Sequence, residues 1–270
     1  MTRIERSSSL RYRSIWISDT HLGSRGCQAD FLLDFLRSTE SQNLYLVGDI
    51  VDVWAMHGSL HWPTSHNGVV GALFDKARNG TRVVYLPGNH DELFRAHVGH
   101  DFARIAVRDE VIHTTADGRR FLVTHGDRFD GVVQNGRWLA RIGSRAYDLL
   151  LVANRLVNLG RRLLGLPYWS LAAYLKHKVK DAVDYIGRYE RSIAAEAHRH
   201  AFDGMICGHI HKAAMRDIDG ILYCNCGDWV ESCTALVEHH DGRLELLGWT
   251  DAAQVSLTAW EPATVWARAS

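Results

Sequence analysis

The 270-residue chain is long enough to bury a large core in one main domain. Its 31 Lys and Arg balance 31 Asp and Glu, so no global basic field is available to hold nucleic acid, and none is expected as a partner. No run of about 18 uncharged apolar residues occurs, which argues against an integral helical membrane protein, and the polar, basic residues 1–13 lack the apolar segment of a secretory signal.

In chain order, the apolar pattern first alternates strand and helix. Strands are predicted near 12–17, 44–47, 82–86, 103–107 and 120–124, and helices near 28–38 and 68–78. From about 130 to 201 the pattern is helical, apolar and basic at once. Residues 128–191 carry 12 Lys and Arg against 5 Asp and Glu, and ten Leu and Val crowd 149–166, followed by Tyr168, Trp169 and Tyr174. After Phe202, short strands are predicted at 204–207, 213–218, 221–225, 233–239 and 243–249, with Asp219-Gly220 and Asp241-Gly242 as hairpin turns. Residues 251–270 lack periodicity and read as a loosely held tail. Five cysteines (27, 207, 224, 226, 233) are odd in number, and four lie in strand-like apolar runs. They read as buried thiols in a reducing cytoplasm, with Cys224 and Cys226 on one strand face.

Five short motifs punctuate these strands: Asp19-Thr20-His21, Gly48-Asp49-Ile50-Val51-Asp52, Gly88-Asn89-His90-Asp91, His125-Gly126-Asp127 and Gly208-His209-Ile210-His211. Each follows an apolar run, as residues 14–17, 44–47, 83–86, 121–123 and 205–207 show. Such runs suit strands buried on both faces, and in layered α/β proteins ligands bind just beyond the strand ends. Any one motif could be an ordinary Gly-rich turn. All five in register converge on one edge and supply carboxylate, amide and imidazole without thiolate. That ligand set suits two hard or borderline divalent cations, with manganese expected and iron or zinc as alternatives.

The constellation resembles the calcineurin-like metallophosphoesterase superfamily, whose D-x-H, GDxxD, GNH[D/E], H-G and GHxH motifs are met in order between residues 19 and 211. The resemblance implies an α/β fold, a four-layer αββα sandwich, with residues 1–129 and 202–250 as core. Residues 130–201 separate two metal motifs that must meet, so they leave the core and return as a helical lid insertion. The resemblance further implies that Asp19, His21 and His211 hold one metal, that Asn89, His125 and His209 hold the other, and that Asp49 bridges. A carboxylate can bridge two cations about 3.5–4 Å apart. Catalytic roles fall to His90, beside the substrate phosphate, and to Asp91 as the carboxylate orienting its ring. Asp52 and Asp127 are expected to hydrogen-bond ligand imidazoles or loops. For the remaining histidines, including His57, His61 and His66, solvated or capping roles are expected.

The insertion, Trp54 and residues 227–232 make the chain similar to the UDP-2,3-diacylglucosamine pyrophosphatase branch of bacterial lipid A synthesis. Members of that branch hydrolyse a pyrophosphate to the lipid 1-phosphate and UMP, and its best-known members carry GNRD where this chain has GNHD. The resemblance therefore implies a UDP-linked diacylglucosamine substrate. The apolar, basic insertion suggests acyl binding and a peripheral contact with anionic inner-membrane lipid from the cytoplasmic side. The alternative is a metallophosphoesterase for a soluble nucleotide, phosphodiester or phosphoprotein, which would share every metal ligand and differ in the lid. A non-catalytic binding module on the same fold would be expected to lose ligands, and none is lost here.

Overall fold

The computed structural model of the protein describes residues 9–58, 61–132, 171–250 and 253–260. The leucine-rich 149–166 and Trp169 lie outside these residues. The chain divides into two compact units, residues 1–127 with 193–270, and residues 128–192. Among the described residues, no helix is long and apolar enough to cross a membrane.

The first half alternates as the pattern predicts, with one short helix the pattern does not show: β1 (Leu10–Ile17), α1 (Ala29–Ser38), β2 (Thr39–Val47), the unexpected α2 (Val53–Gly58), α3 (Thr64–Arg78) and β3 (Arg82–Leu86). β2 begins five residues before its apolar run because Thr39 Oγ1 caps Phe35 O and ends α1, and Leu10 then pairs with Thr39 in parallel register. The strand expected at 103–107 is instead a hairpin of β4 (Asp101–Phe102) and β5 (Ile105–Val107). Ala103 and Arg104 turn through φ of 46° and 71°, which a continuous strand would not allow.

β6 (Val111–Thr114) and β7 (Arg120–Val123) form the next hairpin. After α4 (Leu171–Arg199) come β8 (Gly204–Cys207), β9 (Ala214–Ile218), β10 (Ile221–Asn225), β11 (Thr234–Glu238), β12 (Leu244–Thr250) and β13 (Ala253–Trp260). Asp219 and Gly220 both take positive φ, 54° and 81°, as a two-residue primed turn requires. The tail expected from 251 onward is corrected at 253–260. β13 hydrogen-bonds antiparallel to β12, and a bulge at Leu246/Leu247 breaks the period that would have marked it.

The strands form two sheets, an eight-stranded one ordered β13-β12-β11-β1-β2-β3-β5-β4 and a five-stranded one ordered β6-β7-β8-β10-β9. Adjacent residues on β1, β2 and β3 point into different cores. Ile15, Ile17, Leu44, Leu46, Val83 and Tyr85 meet α1 and α3, while Trp16, Tyr45, Val47, Val84 and Leu86 meet Phe121, Val123, Ile206, Leu222 and Cys224 of the second sheet. Continuous apolar runs are the signature of such two-sided burial, each large side chain contributing about 1.5–3 kcal/mol. On the outer face of the second sheet Leu122, Met205, Cys207 and Tyr223 are also buried, as are Ile193, Ala194 and Ala197 at the end of α4. Helix, sheet, sheet and helix give the αββα order.

All five cysteines are free, and all but Cys27 are buried. Burial pushes the Cys27 thiol up to about 12 and Cys233 to about 11, and it raises Cys224 and Cys226 as well.

Candidate metal centre

β1, β2 and β3 run parallel, as do β7, β8 and β10, so their carboxyl ends deliver six loops to one edge of the sandwich. The first two loops are zipped together by Asp19 N–H to Gly48 O, His21 N–H to Asp49 O and Asp52 N–H to Leu22 O at 3.0, 2.9 and 2.7 Å. The third and fifth are tied in by side chains of the site itself. Asp49 Oδ1 accepts His90 N–H at 2.8 Å, and Asp19 Oδ2 accepts His209 N–H at 2.9 Å.

Five of the seven expected ligands carry backbone strain. Asp19, His21, Asp49, His209 and His211 have φ of 50°, 50°, 52°, 72° and 53°. Side chains of this kind leave the left-handed region unless the surroundings over-determine it, and such residues cluster where function needs a fixed geometry. Gly48, at φ 75°, is required for a further reason: a Cβ there would fall on the His125 ring.

The side chains converge accordingly. Asp19 Oδ1 lies 3.3 Å from His211 Nε2, His21 Nε2 lies 3.2 Å from His211 Nε2, and Asp49 Oδ2 lies 3.5 Å from His125 Nε2 and 3.9 Å from His21 Nε2. Asp19-His21-His211 and Asp49-His125-His209 each bring their ligand atoms within 4.8 Å of one another, and His21-Asp49-His90 does the same. Asp49 thus faces both outer groups. His125 donates its Nδ1–H to Val47 O at 3.0 Å, which turns Nε2 into the site. His125 Nε2 and Asn89 Oδ1 are buried with no hydrogen-bond partner among the described residues. Orphaned buried atoms of this kind are costly unless something else binds them.

Electrostatics point the same way. Burial would raise the Asp19 and Asp49 carboxyls, but His211 beside the first and His125 beside the second hold both below the usual carboxylate range. Burial would lower the imidazoles, yet Asp49 raises His125 to about 10 and Asp19 raises His211 to about 9. The carboxylates demand positive charge in a buried place. Divalent cations meet that demand with the same oxygen and nitrogen atoms, so the donor set fits a metal centre.

One expected helper role passes to another residue. Asp91 does not orient His90. Its carboxylate is wholly buried and accepts hydrogen bonds from Gly88 N–H, Ile50 N–H, Val51 N–H and the Tyr85 hydroxyl, so it turns back beneath the second and third loops. Burial and the nearby Asp49 raise its pKa. Asp52 orients His90 instead, with Oδ1 3.0 Å from His90 Nδ1 and Oδ2 3.0 Å from His21 Nδ1. Asp127 pairs with Arg95 at 2.7 Å, and Arg95 also donates to Pro87 O, which braces the third and fourth loops. His66 is buried and accepts Gly23 N–H through Nδ1; burial, with His61 alongside, lowers its pKa.

The sixth loop, which in the sequence only marks the branch, supports the site. Asp228 Oδ1 accepts Val230 N–H and Glu231 N–H, Trp229 N–H binds Asp19 O at 3.1 Å, and Asn225 accepts Gly227 N–H while donating to Gly208 O at 2.7 Å. The signal that could have found it is the same as for the other motifs, a Gly-Asp pair after a continuous apolar run.

The chain is 29% identical to the UDP-2,3-diacylglucosamine hydrolase of Aromatoleum aromaticum over 84% of this chain and 89% of that one. It is also 29% identical to the protein of the same name from Azotobacter vinelandii, over 80% and 90%. Among solved structures, a dimetal phosphatase from Danio rerio is 16% identical with a TM-score of 0.47, covering 92% of this chain and 98% of that one. The sequence profile of the calcineurin-like phosphoesterases matches residues 12–213, a span holding all five metal motifs. The chain belongs to the calcineurin-like phosphoesterase family and is a metal-dependent hydrolase of phosphoric esters.

Proposed function

We propose that the protein hydrolyses the pyrophosphate of UDP-2,3-diacylglucosamine to the lipid 1-phosphate and UMP, as a step of lipid A synthesis. The observation that carries this reading is that curated relatives of that name match 84% and 80% of the chain and nine-tenths of their own length, well beyond the metal motifs. Asp19, His21 and His211 hold one cation, Asn89, His125 and His209 the other, and Asp49 bridges, with Mn2+ as the proposed ion and Fe2+ or Zn2+ as alternatives. When bound, two such cations supply a water acidic enough to be hydroxide near neutral pH and offset charge on phosphoryl oxygens.

The chain's own residues supply the rest. Asp52 fixes the Nδ1–H tautomer of both His21 and His90, so that each presents Nε2 outward. His90 is half-buried beside Asp49 and meets the substrate phosphate, where it donates a proton to the leaving oxygen or stabilises developing charge. In this reading residues 130–201 are a lid whose apolar side chains take the acyl chains and whose Lys and Arg meet anionic lipid at the cytoplasmic face of the inner membrane.

The third motif favours a second reading. GNHD is the form of the wider superfamily, and the same ligands serve a soluble nucleotide or phosphodiester equally well. Hydrolysis by Mn2+-reconstituted protein separates the two when UDP-2,3-diacylglucosamine, UDP-N-acetylglucosamine and bis(p-nitrophenyl) phosphate are compared. The expected result is UMP release with kcat/KM highest for the diacylated substrate. Equal kcat/KM for the acylated and non-acylated nucleotide sugars overturns the lipid reading.

A further inference from the structure

Trp54 is a large apolar side chain left 45% exposed, yet it does not stand alone on the surface. Its ring lies against His90. The centroids are 4.3 Å apart with 36° between the planes, a tilted stack.

The backbone builds this contact in. Trp54 is the second residue of α2, whose first residue, Val53, donates its N–H to His90 O at 3.2 Å. Asp52 Oδ1 accepts Ala55 N–H at 2.8 Å and lies 3.0 Å from His90 Nδ1, so a single oxygen anchors the helix start and the imidazole together. Met56 seats the helix against the first loop, where a Cβ on Gly23 would fall 2.7 Å from Met56 Cγ. Trp54 therefore rises from a fixed base.

His90 has a use for it. Its N–H is bound to Asp49 Oδ1 at 2.8 Å and its Nδ1 meets Asp52, but a ring held at one nitrogen can still swing about that contact. The neighbouring rings oppose the swing. His21 meets His90 edge to face, with centroids 4.7 Å apart and 87° between planes, while Trp54 lies more nearly face on. Offset and edge-on arrangements are the favourable ones for aromatic pairs. The His90 side chain keeps 25% of its exposure, which leaves it reachable by substrate.

We propose that Trp54 is a positioning residue for the hydrolysis, its indole holding the His90 imidazole at the angle from which Nε2 meets the leaving oxygen. This inference rests on the role given to His90 above. A displacement of about 1 Å in a reacting group can cost about 10²-fold in rate, so a ring free to swing is a slow one.

The test is turnover of bis(p-nitrophenyl) phosphate by Mn2+-reconstituted protein in a cycle of Trp54→Ala, His90→Ala and the two combined. Trp54→Ala is expected to lower kcat about 10- to 100-fold, with KM and the Mn2+ concentration for half-saturation within about twofold of the parent, and Trp54→Phe to recover the rate to within about threefold. In His90→Ala, adding Trp54→Ala changes kcat by less than about twofold, because no imidazole is left to position. NMR of metal-free protein reads the geometry without turnover. The His90 Cε1–H resonance, identified by its absence in His90→Ala, is expected upfield of an ordinary imidazole and to move back in Trp54→Ala. A rise in KM at unchanged kcat, an equal loss with and without His90, or an unmoved resonance overturns the positioning role and leaves the role of His90 standing. A normal rate in His90→Ala overturns both.

Discussion

Replacing Asp52 by Asn tests the site more sharply than removing a metal ligand, because the change is isosteric and acts only through hydrogen bonds. The carboxylate serves three donors: His21 Nδ1 at 3.0 Å on Oδ2, and His90 Nδ1 at 3.0 Å and Ala55 N–H at 2.8 Å on Oδ1. Burial would raise its pKa, but these hydrogen bonds, His21 first, keep it well below the usual range. An amide keeps one acceptor oxygen, so at least one imidazole must face an NH2 group. The loss of a hydrogen bond to a charged group is about 1.5–3 kcal/mol, or about 10- to 100-fold, which is also the usual effect of removing a partner behind a metal ligand. If the amide oxygen stays on the Ala55 side, His21 is released and the Mn2+ concentration for half-saturation rises by about that factor. If it turns the other way, His90 is released and the rate at saturating Mn2+ falls instead. Asn caps a helix start as well as Asp, so α2 should remain. Equilibrium dialysis with Mn2+, paired with turnover of bis(p-nitrophenyl) phosphate, reads both quantities. If both stay within twofold of the unaltered protein, Asp52 does not orient the centre.

Asp49→Ala removes the carboxylate that faces both outer groups. It should abolish turnover and lower bound metal more than any other single ligand change; two metals per chain by elemental analysis with a near-normal rate would refute the bridging role. His90→Ala should keep its metal and slow turnover by about 10²- to 10⁴-fold, whereas loss of metal would make His90 a ligand, as the His21-Asp49-His90 grouping allows. Glu238 lies far from this chemistry and is fully buried, accepting hydrogen bonds from Arg13, Ser14, His113 and Ala116 at 2.6–2.9 Å. Glu238→Gln should destabilise by about 2–3 kcal/mol at pH 7 in urea unfolding, less than a fully buried pair because a quarter of the Arg13 side chain is exposed. Burial would raise the Glu238 pKa, but His113 and the other donors hold it below the ordinary value. A group depressed on folding stabilises above its unfolded pKa, about 4.3, and that stability is lost as pH falls through the lower folded value. The gap between the two proteins should therefore close in acid; a gap that is the same at pH 7 and pH 3 refutes the assignment.

Much of this was readable from residue types. β1 to β3, β7, β8 and β10 announced themselves because both faces are buried along the stretches that lead to the site, which makes those stretches continuous apolar runs that need no period to be seen. The proposed ligand residues stand out because metal chemistry restricts the side chains allowed, and their order restricts them again. What adjacency could not give was direction. Asp91 neighbours His90 in sequence, yet the chain turns after Asn89 so that its carboxylate lies under Ile50 and Val51, and the distant Asp52 reaches the imidazole instead. The β4–β5 hairpin was missed because Ala103-Arg104 is an unusual pair for positive φ, and β6 because four residues that include a buried His113 do not look like a strand.

The strained residues explain why so much of this sequence is devoted to a rigid interior. A non-glycine residue in the left-handed region costs about 1–3 kcal/mol, so five of them together are comparable to the whole net stability of an ordinary domain. A scaffold with slack in it would release that strain by letting the loops turn over, and the ligands would point away. Here the strained residues sit on loops entered directly from strands fixed on both faces. They are joined loop to loop through Gly48 O, Asp49 O and Gly208 N–H, the last donating to His125 O at 3.1 Å. Relaxing one ligand would break contacts in a neighbouring loop, so the strain cannot be relieved singly. The sandwich is in this sense part of the metal site, and the second layer of residues, Asp52, Asp91, Asn225 and Asp228, is where substitutions should disturb metal binding without touching a ligand.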